Sequence, residues 1–190
     1  YLIKNVNLVI MKDFSLSIIL PTINESENLS ILIPRLVMKM EKLKINNYQI
    51  LVVDDGSTDD TFEVVSSMNS NNKNIEILSR KAEPSLPNSI FDGITTSKFE
   101  NVLWMDADGS MTPDAVEKII LKYRNNLDLV VVGSRFVSGG GYKGVQDFGK
   151  NSFLKAIRNV RKSNDSVAGM IVSIIFNKLL QIIFPENIKD

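Results

Sequence analysis

Short apolar runs that end in acidic residues constrain the fold of this chain more than any other feature. Residues 102–105 form one such run, which breaks directly into Asp106-Ala107-Asp108. A continuous apolar run of this length is typical of a strand buried on both faces in a parallel sheet. Since side chains two residues apart point the same way in extended backbone, Asp106 and Asp108 can reach one cation from one side.

A helix is predicted directly after this acidic segment. Thr112 and Pro113 are typical of a helix cap and a first helical position. The apolar residues that follow keep the spacing of one helix face, at Val116, Ile119, Ile120 and Tyr123. The two acids therefore lie in a strand-to-helix loop, where open α/β sheets place their ligands. By itself an Asp-x-Asp tripeptide is also typical of a solvated turn, so a site is predicted only from this context.

The first strand predicted along the chain is Leu16 to Leu20, and it ends at residues 21–25, Pro-Thr-Ile-Asn-Glu. Asn24 and Glu27 have the spacing of a capping box, and apolar residues continue at helical spacing beyond it. Pro34 within that pattern predicts either a kink or a helix start later than the cap.

A second strand, Gln49 to Val53, also ends in paired acids, Asp54 and Asp55. The Gly56 that follows permits a tight turn, and Ser57 or Thr58 can cap the next helix. Further predicted elements are a third strand at Ile75 to Ser79, a helix through Ile90, Phe91 and Ile94, and a fifth strand at Asp128 to Gly133.

Five strands that alternate with helices predict a mostly parallel, doubly wound α/β sheet. Two of the strands end in acids at the same rim of that sheet, and Asn24 and Glu25 join them from a third. Like charges crowded together are costly unless a cation or hydrogen bonds compensate them. A shared binding site explains the pattern better than coincidence.

Composition limits the remaining possibilities. A chain of 190 residues with 44% hydrophobic content is long enough for one substantial core and short for two domains. The 22 basic and 22 acidic residues give no overall field that favours nucleic acid. Because the sequence has no cysteine and no histidine, it excludes disulfides, thiolate metal sites and histidine bases within this stretch. Nothing in it resembles a secretory signal, and a cytoplasmic location is expected.

Four ordered segments carry a resemblance to a known family: SIILPTINESENL, ILVVDDGSTDDT, VLWMDADGSMTP and DLVVVGSRFVSGGG. The sequence resembles the family 2 glycosyltransferases, and within them the dolichyl-phosphate or polyprenyl-phosphate sugar transferases. The resemblance implies the GT-A fold, a Rossmann-like, mostly parallel sheet flanked by helices in a single domain. We expect residues 1–15 to be an N-terminal extension and residues 16–190 to be the catalytic domain, cut short at its C-terminal end.

The resemblance also implies roles for individual residues. The nucleotide pocket would be lined by Pro21, Thr22, Asn24, Glu25, Asp54, Asp55 and Ser57. Asp106 and Asp108, with Ser110, would hold Mg²⁺ or Mn²⁺ against the pyrophosphate of a GDP- or UDP-linked sugar. Arg135 would contact donor or acceptor phosphate through its planar guanidinium, and its alternative is a surface salt bridge.

A lipid phosphate acceptor is consistent with the lack of histidine, since a phosphate monoester is already anionic near neutral pH and needs no base. The apolar stretch from Val167 to Phe184 carries polar interruptions that make it a poor membrane span. Basic residues precede it, so it is interpreted either as an interfacial helix at the cytosolic face of a membrane or as an ordinary core helix.

Three alternatives stay open at this stage. The same fold can transfer a sugar to a saccharide hydroxyl. Acids after two strands are also typical of a phosphorylation-dependent receiver module, although a receiver needs neither the Pro21 to Glu25 segment nor a second acid at Asp108. A nucleotide-binding scaffold without catalysis is the third.

Overall fold

The structure is a computed structural model, and it describes residues 14–125, 127 and 130–133. The chain divides into two compact units, Tyr1–Val130 and Val131–Asp190. The regular elements described below all lie in the first unit, and the predicted catalytic domain at 16–190 stays a prediction. These elements are strands β1 (Ser15–Thr22), β2 (Asn47–Asp54), β3 (Ile75–Ser79) and β4 (Val102–Trp104), and helices α1 (Ser26–Lys42), α2 (Thr61–Asn71), α3 (Leu86–Thr96) and α4 (Pro113–Arg124).

The four strands form one parallel sheet in the order β3-β2-β1-β4, which confirms the predicted parallel α/β architecture. Thr22 pairs with Asp54, and Asp54 pairs with Ser79, so three strands end level with one another. The backbone N–H of Met105 donates to the carbonyl of Ile19 at 3.1 Å, which places the loop after β4 at the same edge.

Both faces of the sheet are covered by helices. On one face, alternate residues of β1 and β2 pack with α1, α2 and α4 in a large apolar cluster that contains Ile18, Leu20, Ile50, Val52, Leu29, Ile33, Leu36, Val65, Val116 and Ile120. On the other face a smaller cluster of Ile19, Leu51 and Val53 lies against α3. Burial on two faces explains why β1 and β2 are continuous apolar runs rather than alternating ones.

The prediction that residues 102–105 are buried on both faces is wrong for β4. Val102 and Trp104 are 36% and 49% exposed, whereas Met105 is buried. The cause is the position of β4, which pairs with β1 at an edge of the described sheet, while α3 packs over β1 and β2. The unbroken apolar run therefore predicted the strand correctly, but the burial inferred from it was too high.

Helix ends follow the sequence signals in part. Thr112 caps α4 as predicted, since its hydroxyl accepts the Ala115 N–H at 3.3 Å and Pro113 is the first helical residue. Helix α1 begins at Ser26, one residue later than a cap at Asn24 would set, and it runs through Pro34. Residues 130–133 of the predicted fifth strand have no regular structure, and Asp128 lies outside the described residues.

An ion-pair cluster joins α1 to α4 on the surface of the unit. The ammonium of Lys39 lies 2.5 Å from a carboxylate oxygen of Asp114 and 2.6 Å from one of Glu117. Lys42 adds a second contact to Glu117 at 2.7 Å. The first turns of α4, which follow the Asp-x-Asp loop, are thus tied to the last turn of α1.

No helix in the described ranges is long and apolar enough to cross a membrane. The apolar stretch from Val167 to Phe184 lies outside those ranges.

Close packing of α3 on the sheet depends on Gly93. A Cβ atom at this position would lie 2.5 Å from Cγ2 of Ile19 and 3.1 Å from Cγ2 of Val53. We expect Gly93→Ala to lower the free energy of unfolding by about 1–3 kcal/mol, because this overlap outweighs the gain in helix propensity. Chemical denaturation measures the change.

The matched control is Thr96→Ala, an exposed position at the end of the same helix. It should leave stability nearly unchanged. A Gly93→Ala protein as stable as the wild type would show that α3 does not approach the sheet this closely.

Candidate functional site

A cleft of about 350 Å³ opens at the carboxyl ends of β1, β2 and β4. Its walls come from the loops after these strands and from the start of α3. The cleft is lined by Pro21, Thr22, Ile23, Glu25, Asp55, Pro84, Ser85, Leu86, Ser89, Asp106, Ala107 and Asp108. Six residues predicted for the site from the sequence thus lie around one cavity: Pro21, Thr22, Glu25, Asp55, Asp106 and Asp108.

The Asp-x-Asp segment continues the alternation of β4 past the end of the strand. Met105 and Ala107 are buried in the large apolar cluster, while Asp106 and Asp108 are exposed and line the cleft. The chain then turns at Gly109, whose φ of +75° is unfavourable for other residues. Within that turn the backbone N–H of Ser110 donates to a carboxylate oxygen of Asp108 at 2.8 Å. Both acids therefore face the same space.

The donor set of this segment suits a hard divalent cation that is shared with a ligand. Residues 14–125 contain no group of three or more acidic, histidine or cysteine side chains that could hold a metal by themselves. Mg²⁺ is commonly bound by one or two carboxylates together with phosphate oxygens of a substrate. Asp106 and Asp108 fit that second arrangement, while Ser110 does not line the cleft.

The loop after β1 is hydrogen-bonded to the loop after β2. The backbone N–H of Asn24 donates to the Ser57 hydroxyl at 2.8 Å, and the Asn24 side-chain oxygen accepts the Thr58 N–H at 2.7 Å. Asp54 accepts the Ser57 N–H at 3.1 Å. Asn24, Asp54 and Ser57 do not line the cleft, so these contacts hold its walls together, and their predicted contacts with a nucleotide stay predictions.

The predicted capping box is wrong. The N-cap of α1 is Glu25, which makes no side-chain cap hydrogen bond, and Asn24 lies outside the helix with a φ of +55°. The cause is competition from Thr58, 34 residues away in sequence, which takes the oxygen that would otherwise cap. The predicted cap of α2 by Ser57 or Thr58 is also wrong, since the N-cap is Asp60. The Ser57 hydroxyl instead accepts the backbone N–H of Asn24.

Asp59 links the same two loops. Its carboxylate accepts the hydroxyl of Thr61 at 2.6 Å and the backbone N–H of Ser26 at 3.1 Å. The hydrogen bond from the Thr61 hydroxyl is the main cause that lowers the pKa of Asp59 to about 2, with further help from Ser26. Sequence reasoning assigned no role to Asp59, because its partner Ser26 lies 33 residues away in the chain.

Asp55 is buried in the cleft wall and pairs with Arg80, which sequence reasoning missed. Burial favours the neutral carboxyl, but hydrogen bonds from the Ser85 backbone, the Ser89 hydroxyl and Arg80 together lower the pKa of Asp55. Arg80 also donates from Nε to Asp92 at 2.7 Å. The available signal was weak: an arginine directly after β3, and two serines four residues apart at the start of the next helix.

Arg135 lies outside the described residues, so its predicted contact with phosphate stays a prediction. The same holds for the tail interpreted as a membrane or core helix.

Comparison with known proteins gives one family. A family model described as Glycosyl transferase family 2 matches residues 17–181. A dolichol-phosphate mannosyltransferase of Pyrococcus furiosus is 35% identical over 124 residues, which are 65% of this chain and 34% of that protein. A dolichyl-phosphate beta-glucosyltransferase of Trichomonas vaginalis is 29% identical over 125 residues, which are 62% of this chain and 37% of that protein.

This chain thus spans about a third of the length of these two relatives. Among solved structures, a mycobacterial protein is 17% identical with a TM-score of 0.50, over 62% of this chain and 39% of that chain. At this identity the likeness concerns the fold alone.

Asn24 combines a strained backbone with a hydrogen bond, and two substitutions separate the two effects. Asn24→Gly should lose the bond to Thr58 and lower stability by about 0.5–1.5 kcal/mol. Asn24→Ala should cost about 1 kcal/mol more, because an alanine at positive φ is strained. Urea denaturation of both variants measures the difference, and equal stabilities would contradict the left-handed conformation of residue 24.

The depressed pKa of Asp59 makes its contribution to stability depend on pH. Since its pKa falls from 3.8 to about 2 on folding, the carboxylate stabilises the fold above about pH 4, and this effect is lost as the pH falls toward 2. The melting temperature of Asp59→Asn should therefore lie below that of the wild type at pH 7, and the difference should close on acidification. Asp60→Asn is the matched control, and a difference that stayed constant down to pH 2 would exclude this linkage.

Proposed function

This chain belongs to glycosyl transferase family 2, and we propose that it transfers a hexose from a nucleotide-sugar to a polyprenyl phosphate. The family match confirms the resemblance predicted from four sequence segments, and the parallel sheet flanked by helices is the GT-A type of fold. The observation that carries the proposal is the cleft itself. It brings the acids of the β4 loop, Asp106 and Asp108, opposite the loops after β1 and β2.

Asp106 and Asp108 would hold Mg²⁺ or Mn²⁺ together with the pyrophosphate oxygens of the donor. A divalent cation bound there supplies positive charge against the nucleoside diphosphate as that group departs. The two carboxylates are exposed, point into one cavity and lie on a loop that is fixed by Thr112 and by the buried Met105 and Ala107. Such fixed placement is what electrostatic stabilisation of a leaving group requires.

The nucleoside would lie against the loops after β1 and β2. Pro21 and Thr22 form the floor of the cleft at the end of a buried strand, and Glu25 and Asp55 add acceptors for hydroxyl or N–H groups. In the reaction the bond between the sugar C1 and the diphosphate breaks, and a new bond forms between C1 and an oxygen of the acceptor phosphate. The nucleoside diphosphate leaves with the electron pair of the broken bond. Because the acceptor phosphate oxygen is already anionic, no proton has to be removed from it.

A lipid phosphate is the favoured acceptor for two reasons. Both sugar transferases matched above are named for dolichol phosphate. The sequence has no histidine to act as a base, and an anionic phosphate needs none. Arg135 is the proposed contact for a phosphate. A lipid acceptor places the reaction at a membrane, and the cytosolic face is part of this proposal. Transfer to a saccharide hydroxyl would instead need a carboxylate base.

Calorimetric titration of GDP and UDP, each with and without Mn²⁺, tests the donor site. We expect at least one nucleotide to bind only with metal, and Asp106→Ala or Asp108→Ala to weaken that binding at least tenfold, because the diphosphate loses its charge partner. Glu100→Ala is the matched control, since Glu100 is exposed just before the other end of β4.

Absence of metal-dependent binding to the folded protein would refute the transferase site in this chain and favour a receiver or scaffold. Transfer of labelled sugar into an organic-extractable product, with polyprenyl phosphate as acceptor, then separates the lipid from the saccharide alternative.

A further inference from the structure

The acidic loop, residues 106–112, is held firmly at its first end. Met105 donates its backbone N–H to the carbonyl of Ile19 at 3.1 Å, and the side chains of Met105 and Ala107 are buried in the large apolar cluster. Beyond Ala107 the support weakens, because residues 108–110 are exposed. The position of the acids in the cleft therefore depends also on what holds the second end of the loop.

A groove of about 420 Å³ lies between the second half of this loop and α1. One wall includes Ile31, Arg35 and Met38 of α1, and the other comes from residues 109 and 111–114. Because the groove is open, the loop gains little from packing against α1 along this stretch. A contact across the groove is needed to fix one wall relative to the other.

Lys39 makes that contact. Lys39 and Asp114 both line the groove, and the Lys39 ammonium donates to Asp114 at 2.5 Å and to Glu117 at 2.6 Å. The side chains of Lys39 and Glu117 are 17% and 16% exposed, so water screens their interaction less than that of a surface ion pair. The helix that carries Lys39 is a rigid support, because one face of α1 is buried in the large apolar cluster.

We propose that Lys39 is a positioning residue for the acidic loop. Its ion pairs with Asp114 and Glu117 fix the start of α4, and the start of α4 in turn fixes where the acids of the loop stand in the cleft. The inference rests on the proposed function, since it concerns the divalent cation that these acids would hold. Groups that orient metal ligands from outside the coordination shell commonly change metal affinity about tenfold or more when they are removed.

Helix α4 itself does not depend on this lysine. Val116 and Ile120 are buried, and the Thr112 hydroxyl caps the first turn. An acid in the first turn, such as Asp114, also favours a helix through the helix dipole. Loss of the charge on Lys39 therefore lets the start of α4 shift without unfolding it.

Calorimetric titration of the full chain with GDP and UDP, over a series of Mn²⁺ concentrations, tests this role. Lys39→Met keeps the alkyl stem and removes the charge, so we expect the Mn²⁺ concentration for half-maximal nucleotide binding to rise about fivefold. Lys39→Arg restores the charge and the donors, and it should recover most of this loss.

A second variant keeps the test independent of Lys39→Met. Asp114→Asn should give a smaller rise in the Mn²⁺ midpoint, since the contact between Lys39 and Glu117 remains. The double variant should be no worse than Lys39→Met alone, because both changes act through one ion pair. Additive losses in the double variant would contradict that shared route.

Lys42→Met is the matched control. Lys42 lies on the same helix and pairs with Glu117 at 2.7 Å, but its side chain is 63% exposed, so its loss should leave the Mn²⁺ midpoint nearly unchanged. Thermal melting of each variant verifies the fold.

A lower melting temperature of Lys39→Met with an unchanged Mn²⁺ midpoint would show that Lys39 only stabilises the fold. That result, or an equal rise in Lys42→Met, would overturn this inference and leave the transferase proposal intact. If the wild type bound neither nucleotide with Mn²⁺, the proposed function would fail and this inference with it.

Discussion

Parallel pairing of β1 with its two neighbours is the constraint on which the rest of this structure depends. β1 bonds to β2 along eight residues, from Ser15 with Asn47 to Thr22 with Asp54, and to β4 from Ser17 to Ile19. Parallel strands in register end at one edge, so three loops that are distant in sequence become neighbours there. The cleft exists because of this register: a shift of one residue would move every buried side chain of β1 to the other face.

Loops at such an edge need further support, because the strands fix only where they begin. The structure supplies it through polar contacts rather than apolar packing. Asn24 and Asp59 tie the β1 loop to the β2 loop, and Arg80 ties the β2 loop to the end of β3 and the start of α3. Charges held by several hydrogen bonds in this way are rigid acceptors, which suits recognition of a ligand more than it suits stability.

The sequence predicted the elements well, because the signals for them are local. The span of β3, the cap of α4 at Thr112 and the common direction of Asp106 and Asp108 all follow from patterns within a few residues. The connections between loops could not be predicted in the same way. Asn24 has the local signature of a cap but bonds to Thr58, and the pair of Asp55 and Arg80 spans 25 residues. Long-range partners leave no mark in residue spacing, and the exposure of β4 depends on neighbours that its own sequence does not specify.

Trp104 is a natural spectroscopic probe of the strand that leads into the cleft. It is the single tryptophan of the chain, it is about half exposed, and it stands two residues before Asp106 on the strand that leads into the cleft. An indole in partial contact with water changes its emission when its surroundings change. The protein thus carries its one tryptophan at the base of its acidic loop, and tryptophan emission reports on that strand without a label.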